Sequence, residues 1–185
     1  MSHSEDQPFV HPLPFERLAQ YNQWMNAKLY GAVMSLSEEE IAAERGAFFG
    51  SILGTLNHLL VADLIWLGRF HQHQPSDALL PLESFRTPER LDELYHADIA
   101  LLAHDRQRLD EMILHWIQGL NEAAFAQVMH YRNTRGESKA FAFEEVLLHF
   151  FNHQTHHRGQ ATTLLTQAGV DVGVTDMLAI LTPAQ

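Results

Sequence analysis

The sequence predicts an all-α protein, an up-and-down four-helix bundle with a small β-hairpin inserted before the last long helix. Three observations lead there. Four segments carry apolar residues at helical spacing; one segment alternates polar and apolar residues around an Arg-Gly pair; and 185 residues with 46% apolar content suffice for one good core. The whole chain, 1–185, is therefore expected to form a single domain, with residues 1–13 as a mobile lead-in.

After Pro12 and Pro14, "FERLAQYNQWMNAKLYGAVMSL" places Leu18, Tyr21, Met25 and Leu29 on one face of a first helix. Ser37 and Glu40 have the spacing of a capping box for a short segment. Beyond Gly46 and Gly50, "SILGTLNHLLVADLIWLGRFHQ" is apolar on nearly every side, which predicts the central, most buried helix. A polar, proline-bearing loop is expected around residues 74–88. "PERLDELYHADIALLAHDRQRLDEMILHWIQGL" then reads as a long third helix with Pro88 near its start and a stripe of Leu94, Leu101, Leu102, Leu109 and Ile113. "FAQVMHYRNTRGESKAFAF" predicts two short strands joined at Arg135-Gly136. Helical periodicity returns from Phe143 to about Ala168, with Gly169 at the C-cap, and the tail "VDVGVTDMLAIL" is expected to strap the bundle.

Charge and composition exclude several functions. A net charge of −11, from 12 Lys and Arg against 23 Asp and Glu, offers little to a nucleic-acid backbone or an anionic membrane. The absence of cysteine removes disulfides, thiolate ligands and a cysteine nucleophile. The N-terminal stretch lacks the basic start and apolar run of a secretory signal, and no apolar stretch reaches membrane-spanning length, so the expected compartment is the cytoplasm.

The segment "LLHFFNHQTHHRGQ" concentrates His149, His153, His156 and His157. At about 100° per residue, Val146, Phe150, His153, His157, Ala161 and Leu164 share one stripe, so two imidazoles occupy core-facing positions one turn apart. That separation lets one metal ion bridge both rings. A buried histidine more often makes a single hydrogen bond in the core, but a pair on an apolar stripe would need two partners where few exist. His58 is also set among apolar residues, and small Gly54 and Ala62 on either side leave room beside its ring. His71, His73, His104 and His115 are expected to be solvated, and His3 and His11 receive no role.

The pair does not belong to a metalloprotease, since the residue after His153 is Gln154, not the glutamate that serves as general base. A di-iron bundle is excluded too, because Glu93-x-x-His96 has no second copy. Phosphate-binding glycine loops and nucleophile elbows are absent.

The runs "LLHFFNHQTHHRGQATTLLTQAG", "SILGTLNHLLVADLIWL" and "YNQWMNAKLY" together resemble the DinB family of damage-inducible metalloproteins. The resemblance covers most of the chain and rests on Asn152-His153-x-x-x-His157-Arg158-Gly159-Gln160 with an isolated histidine in a second helix. It implies a four-helix bundle, often a homodimer, holding a divalent ion on three histidines: His58, His153 and His157. Imidazole ligation favours zinc or nickel over calcium or magnesium. Asn57, Thr55, Asn152 and Gln160 are candidate acceptors for the second ring nitrogens, and His149 is placed in the pocket wall. Three imidazoles leave a coordination position open for water or substrate. The resemblance further implies a transferase or isomerase using an external low-molecular-weight thiol on a small-molecule substrate. The alternatives are a metal-dependent hydrolase and a non-catalytic metal-binding, stress-associated protein.

Overall fold

The computed structural model describes residues 13–181. The expected mobile lead-in, with His3 and His11, therefore lies outside the described residues, apart from Leu13, which opens the first helix. Four long helices carry the fold: α1 (Leu13–Val33), α3 (Ile52–His73), α4 (Ile99–Gln118) and α6 (Phe143–Gln167). Two short helices, α2 (Glu38–Ala42) and α5 (Glu122–Phe125), lie in the connections. A hairpin of β1 (Val128–Arg132) and β2 (Ser138–Ala142) precedes α6, pairing Val128 with Ala142 and Arg132 with Ser138.

Local chemistry explains the boundaries. Ser37 and Glu40 form a reciprocal capping box at α2. Ser51 caps α3 by accepting from the Gly54 N–H, and Asp98 caps α4 through the N–H groups of Ala100 and Leu101. Gly169, at φ +80°, follows the end of α6, and the Val170 N–H returns to the Leu165 carbonyl at 2.9 Å.

The third long helix starts at Ile99, not at Pro88. Residues 88–98 are held instead by side-chain bonds: Glu93 accepts from the Glu89 N–H at 3.0 Å and pairs with Arg86, while the His96 ring bonds Asp105 at 2.8 Å. Leu94 is accordingly exposed, and so is Leu101; Leu102, Leu109 and Ile113 form the buried stripe. The expected polar loop before them contains a 3-10 helix, Asp77–Ser84, anchored by fully buried Leu79.

Helix directions follow from cross-helix partners. Gln118 bonds Glu16, and Asn22 and Asn26 bond Asp110, so α4 runs antiparallel to α1. Phe15 stacks on Phe151 and Arg158 reaches Asn22, so α6 runs parallel to α1. Phe70 packs against Phe143 and Phe150 while His58 meets His153, which makes α3 antiparallel to α6. Asp63 pairs with Arg106 and Phe70 with Trp116, which makes α3 and α4 parallel. The four helices and hairpin are those expected; in place of alternating directions the order is up, down, down, up, with α1 and α3 on a diagonal. The long connection 74–98 permits this by running back along the molecule.

A buried charged layer crosses the core. Arg106 donates to Asp63 at 2.7 Å and forms an ion pair with Asp110 at 2.8 Å; Asn22 and Asn26 donate to Asp110; Gln154 donates to Asp63. Burial raises the Asp63 carboxyl to about 7 against the pull of Arg106. The tail lies along α1, where the Tyr21 hydroxyl donates to the Thr175 carbonyl at 2.6 Å and Val172 is buried. Among the described residues no helix is long and apolar enough to cross a membrane.

Candidate metal centre

His58 stands one and a half turns into α3, and His153 and His157 stand one turn apart on α6, which runs antiparallel beside it. Each ring offers a nitrogen, and these three atoms lie within 4.8 Å of one another. The His58 and His153 Nε2 atoms are 3.4 Å apart. Two nitrogens at zinc-bond length on a tetrahedron are separated by about 3.3 Å, so this pair already has the spacing of a shared ion. Ring centroids are 4.5 Å apart for His58 and His157 and 4.4 Å for His153 and His157.

The outer nitrogens of His58 and His157 are occupied. His58 Nδ1 lies 2.8 Å from the Leu91 carbonyl, which fixes the proton there and leaves Nε2 with its lone pair toward the cluster. His157 Nδ1 lies 2.7 Å from Gln160 Oε1, with the same effect. Burial lowers the His58 pKa to about 4, opposed by the bond to Leu91. Burial first, and then the neighbouring His157, His58, His149 and His156, lower His153 to about 3. His157 is lowered by burial, opposed by Gln160. Three imidazoles are thus neutral near pH 7 and free to bind a cation.

The other candidate positions separate into distinct roles. Gln160 bonds His157 as described. Asn57 touches none of the three rings; its amide donates to the Leu53 and His96 carbonyls, and its oxygen accepts from the His96 N–H at 2.8 Å. It therefore pins the 88–98 segment that carries Leu91. Thr55 donates to the Ser51 carbonyl, and Asn152 is exposed with no bond to the three rings among the described residues. Both were expected near the rings; one turn of helix carries Thr55 to the cap and Asn152 to the solvent face. His149 is exposed on one side, 5.3 Å edge-on from Trp66 and 6.0 Å from His153, with its pKa lowered by the packing on its other side. Gln154 points away from the cluster into the charged layer, so neither it nor a glutamate there would face the ion. His104 and His115 are exposed and His71 is partly so, whereas His73 lies against Phe143 with a buried Nε2 that has no partner.

Gly54 does not leave open space beside His58. A Cβ there would sit 2.1 Å from the Phe49 carbonyl, so the glycine admits the backbone of the preceding loop. That approach stacks Phe49 on His58 at 3.9 Å and sets its edge against His157 at 5.5 Å. Sequence reasoning missed Phe49 and Leu91, whose signal is a carbonyl or ring supplied from a distant loop. It also missed Trp66, Arg69 and Tyr131, which with Ala62, His149 and His153 line a cavity of about 230 Å³ beside the cluster.

The whole chain, residues 1–185, matches the profile of the DinB family. It is 28% identical over 160 residues to Protein DinB of Bacillus subtilis (strain 168), covering 86% of this chain and 89% of that protein. It also superposes on YfiT from Bacillus subtilis with a TM-score of 0.62 at 16% identity, covering 91% of this chain and 95% of the other. YfiT is described as a probable metal-dependent hydrolase with an unusual four-helix bundle topology, and at that identity the likeness concerns the fold. With a full-length family match over a four-helix bundle, the chain belongs to the DinB family.

Proposed function

We propose that this chain is a metal-dependent enzyme acting on a small molecule, with zinc or nickel held by His58, His153 and His157. The observation that carries the proposal is the convergence of three neutral imidazole nitrogens within 4.8 Å, with His58 and His153 also lining a cavity. Closed structural sites use four protein ligands, whereas three leave a position for substrate or solvent. Such an ion, when bound, supplies a Lewis acid that lowers the pKa of water or a thiol in its open position. His149 lines the same cavity with its pKa lowered by burial, so it can accept a proton there.

Hydrolysis is the first reading, supported by the description of YfiT. A second reading, transfer of an external low-molecular-weight thiol, is favoured by the lining itself. No acidic side chain is among the described cavity residues and the chain has no cysteine. A thiol ionises more easily than water and needs a weaker base.

Metal analysis of untagged protein tests the ion: stoichiometric zinc or nickel is expected, absent from His153→Ala, and calcium or magnesium in its place would sink the assignment. Turnover of a panel of activated esters and amides without thiol supports hydrolysis; turnover that appears only with added thiol supports transfer; none in either arm would make the protein a non-catalytic metal binder. His149→Ala should lower turnover while retaining metal. If it strips the ion as fully as His153→Ala, His149 is a ligand instead.

A further inference from the structure

The cavity beside the histidines continues along α3. His58, Ala62, Ile65, Trp66 and Arg69 all line it, positions that recur on one helix face over about three turns, or about 16 Å of rise. At its far end Ile65 and Arg69 also line a second cavity of about 530 Å³, which adds Gln72, Arg86 and Arg132. The two spaces therefore share a wall, and Arg69 stands at the junction.

The charge of this cleft is opposite to that of the chain. Acidic residues outnumber basic ones 23 to 12 overall, yet none is among the described residues lining either cavity, while three arginines are. Two of those arginines are engaged: Arg86 pairs with Glu93 at 2.8 Å, and Arg132 donates to the Gly136 carbonyl at 2.8 Å. Arg69 differs. Among the described residues it has no carboxylate within ion-pair distance and no recorded hydrogen bond. Its guanidinium lies 4.7 Å from the Trp66 ring centre and 5.2 Å from that of Tyr131, so two aromatic faces hold the cation in place. Burial lowers its pKa, opposed by the Tyr131 phenol and by no carboxylate. A half-buried guanidinium fixed on aromatic rings, with its donors unused, is built to receive a planar or tetrahedral oxyanion.

We propose that Arg69 recognises an anionic group of the substrate, a carboxylate or a phosphate ester, and so orients the rest of the molecule along α3 toward the histidine cluster. This rests on the reading of the cluster as the reaction centre. The substrate class is then a small anionic molecule whose reacting atom and charge are separated along the cleft.

The test measures anion binding on chelator-treated protein, so that it is independent of the ion. Glutarate, inorganic phosphate and the uncharged glutaramide are titrated by calorimetry and by the change in tryptophan fluorescence, into wild type, Arg69→Met and Arg69→Lys. Arg69→Met keeps much of the apolar stem over the rings. Saturable binding of glutarate or phosphate to wild type is expected, with no binding of glutaramide and a loss of about tenfold or more in Arg69→Met. Arg69→Lys, which keeps the charge without the fork, should fall between. Preference for glutarate assigns a carboxylate and preference for phosphate a phosphate ester. Equal binding to wild type and Arg69→Met, glutaramide binding as tight as glutarate, or no saturable anion binding to wild type would each overturn the proposal. Zinc uptake is measured in parallel. Intact uptake in Arg69→Met shows that the variant is folded at the cluster, and failure of wild type to take zinc would refute the metal reading alone.

Discussion

In the histidine layer, one ring nitrogen from each of His58, His153 and His157 converges within 4.8 Å of the others, whereas in the adjacent charged layer each carboxylate is met by donors on other side chains. Asp63 receives Arg106 and Gln154; Asp110 receives Arg106, Asn22 and Asn26. Both layers bury polar groups between the same helices. The charged layer has opposite charges that pair with one another across four helices, although Asn26 Oδ1, Gln154 Oε1 and the Nε atoms of Arg106 and Arg158 are buried there without a hydrogen-bond partner among the described residues. The histidine layer has like groups with nitrogens 3.4 Å apart and nothing in the chain to place between them. Buried opposite charges thus mark structure when they pair with one another, and a convergence of like, neutral ring nitrogens points to a ligand.

The sharpest way to break the contrast is to open the charged layer. Arg106→Met would leave Asp63 and Asp110 buried without their shared cation, at a cost of about 3–5 kcal/mol. Urea unfolding with and without chelator should show the same loss in both, because this layer does not involve an ion.

The histidine layer should behave in the opposite way. Metal at 100 to 1,000 times its Kd stabilises the folded state by about 3–4 kcal/mol, so chelation should lower the Tm of wild type. His58→Ala should abolish the chelator effect while the bundle stays folded; an equal shift in both proteins would remove His58 from the site.

Gly54→Ala joins the two behaviours. Its Cβ would collide with the Phe49 carbonyl and lift Phe49 off His58, costing about 1–3 kcal/mol in overpacking. Zinc affinity, read by competition with a chromophoric chelator, should fall about tenfold as the ring loses its support. Unchanged affinity would show that the loop merely abuts the ring.

A further effect concerns protons. The folded pKa values of His58 and His153, about 4 and about 3, lie below the ordinary 6.5, so the unfolded chain binds more protons between those limits. Stability of the metal-free protein should therefore fall as pH drops from 6.5 toward 3, and His153→Ala should flatten that slope. Parallel melting curves for wild type and variant across this range would contradict the burial of the ring.

Much of this was readable in advance, for definite physical reasons. Helical periodicity located α1, α3 and α6, because a core-facing stripe repeats every turn. The spacing of His153 and His157 put two rings on one face, since that depends on one helix alone. The start of α4 was misread because residues 88–98 carry leucines at helical spacing, whereas the structure bonds Glu93 and His96 into a loop. Helix order was illegible for the same reason: a connection's path depends on where its ends dock. His58 was picked out by its apolar setting and by family resemblance, but its partner Leu91 contributes a backbone carbonyl, which leaves no trace in residue identity. Arg69 looked like any helical arginine until the hairpin brought Tyr131 to it.

The helix order also governs how the molecule can form. The first helix meets partners far along the chain: Asn22 reaches Asp110, 88 residues away, and Arg158, 136 residues away. His58 and His153 are 95 residues apart. A bundle of successive helical hairpins could zip from local pairs, but this one must close large loops first, and loop closure slows folding. Refolding should therefore be slower than its helical content suggests. Stopped-flow circular dichroism should show helix signal ahead of tertiary fluorescence, and metal capture should coincide with the later event, when α6 docks between the two helices formed earliest in the chain.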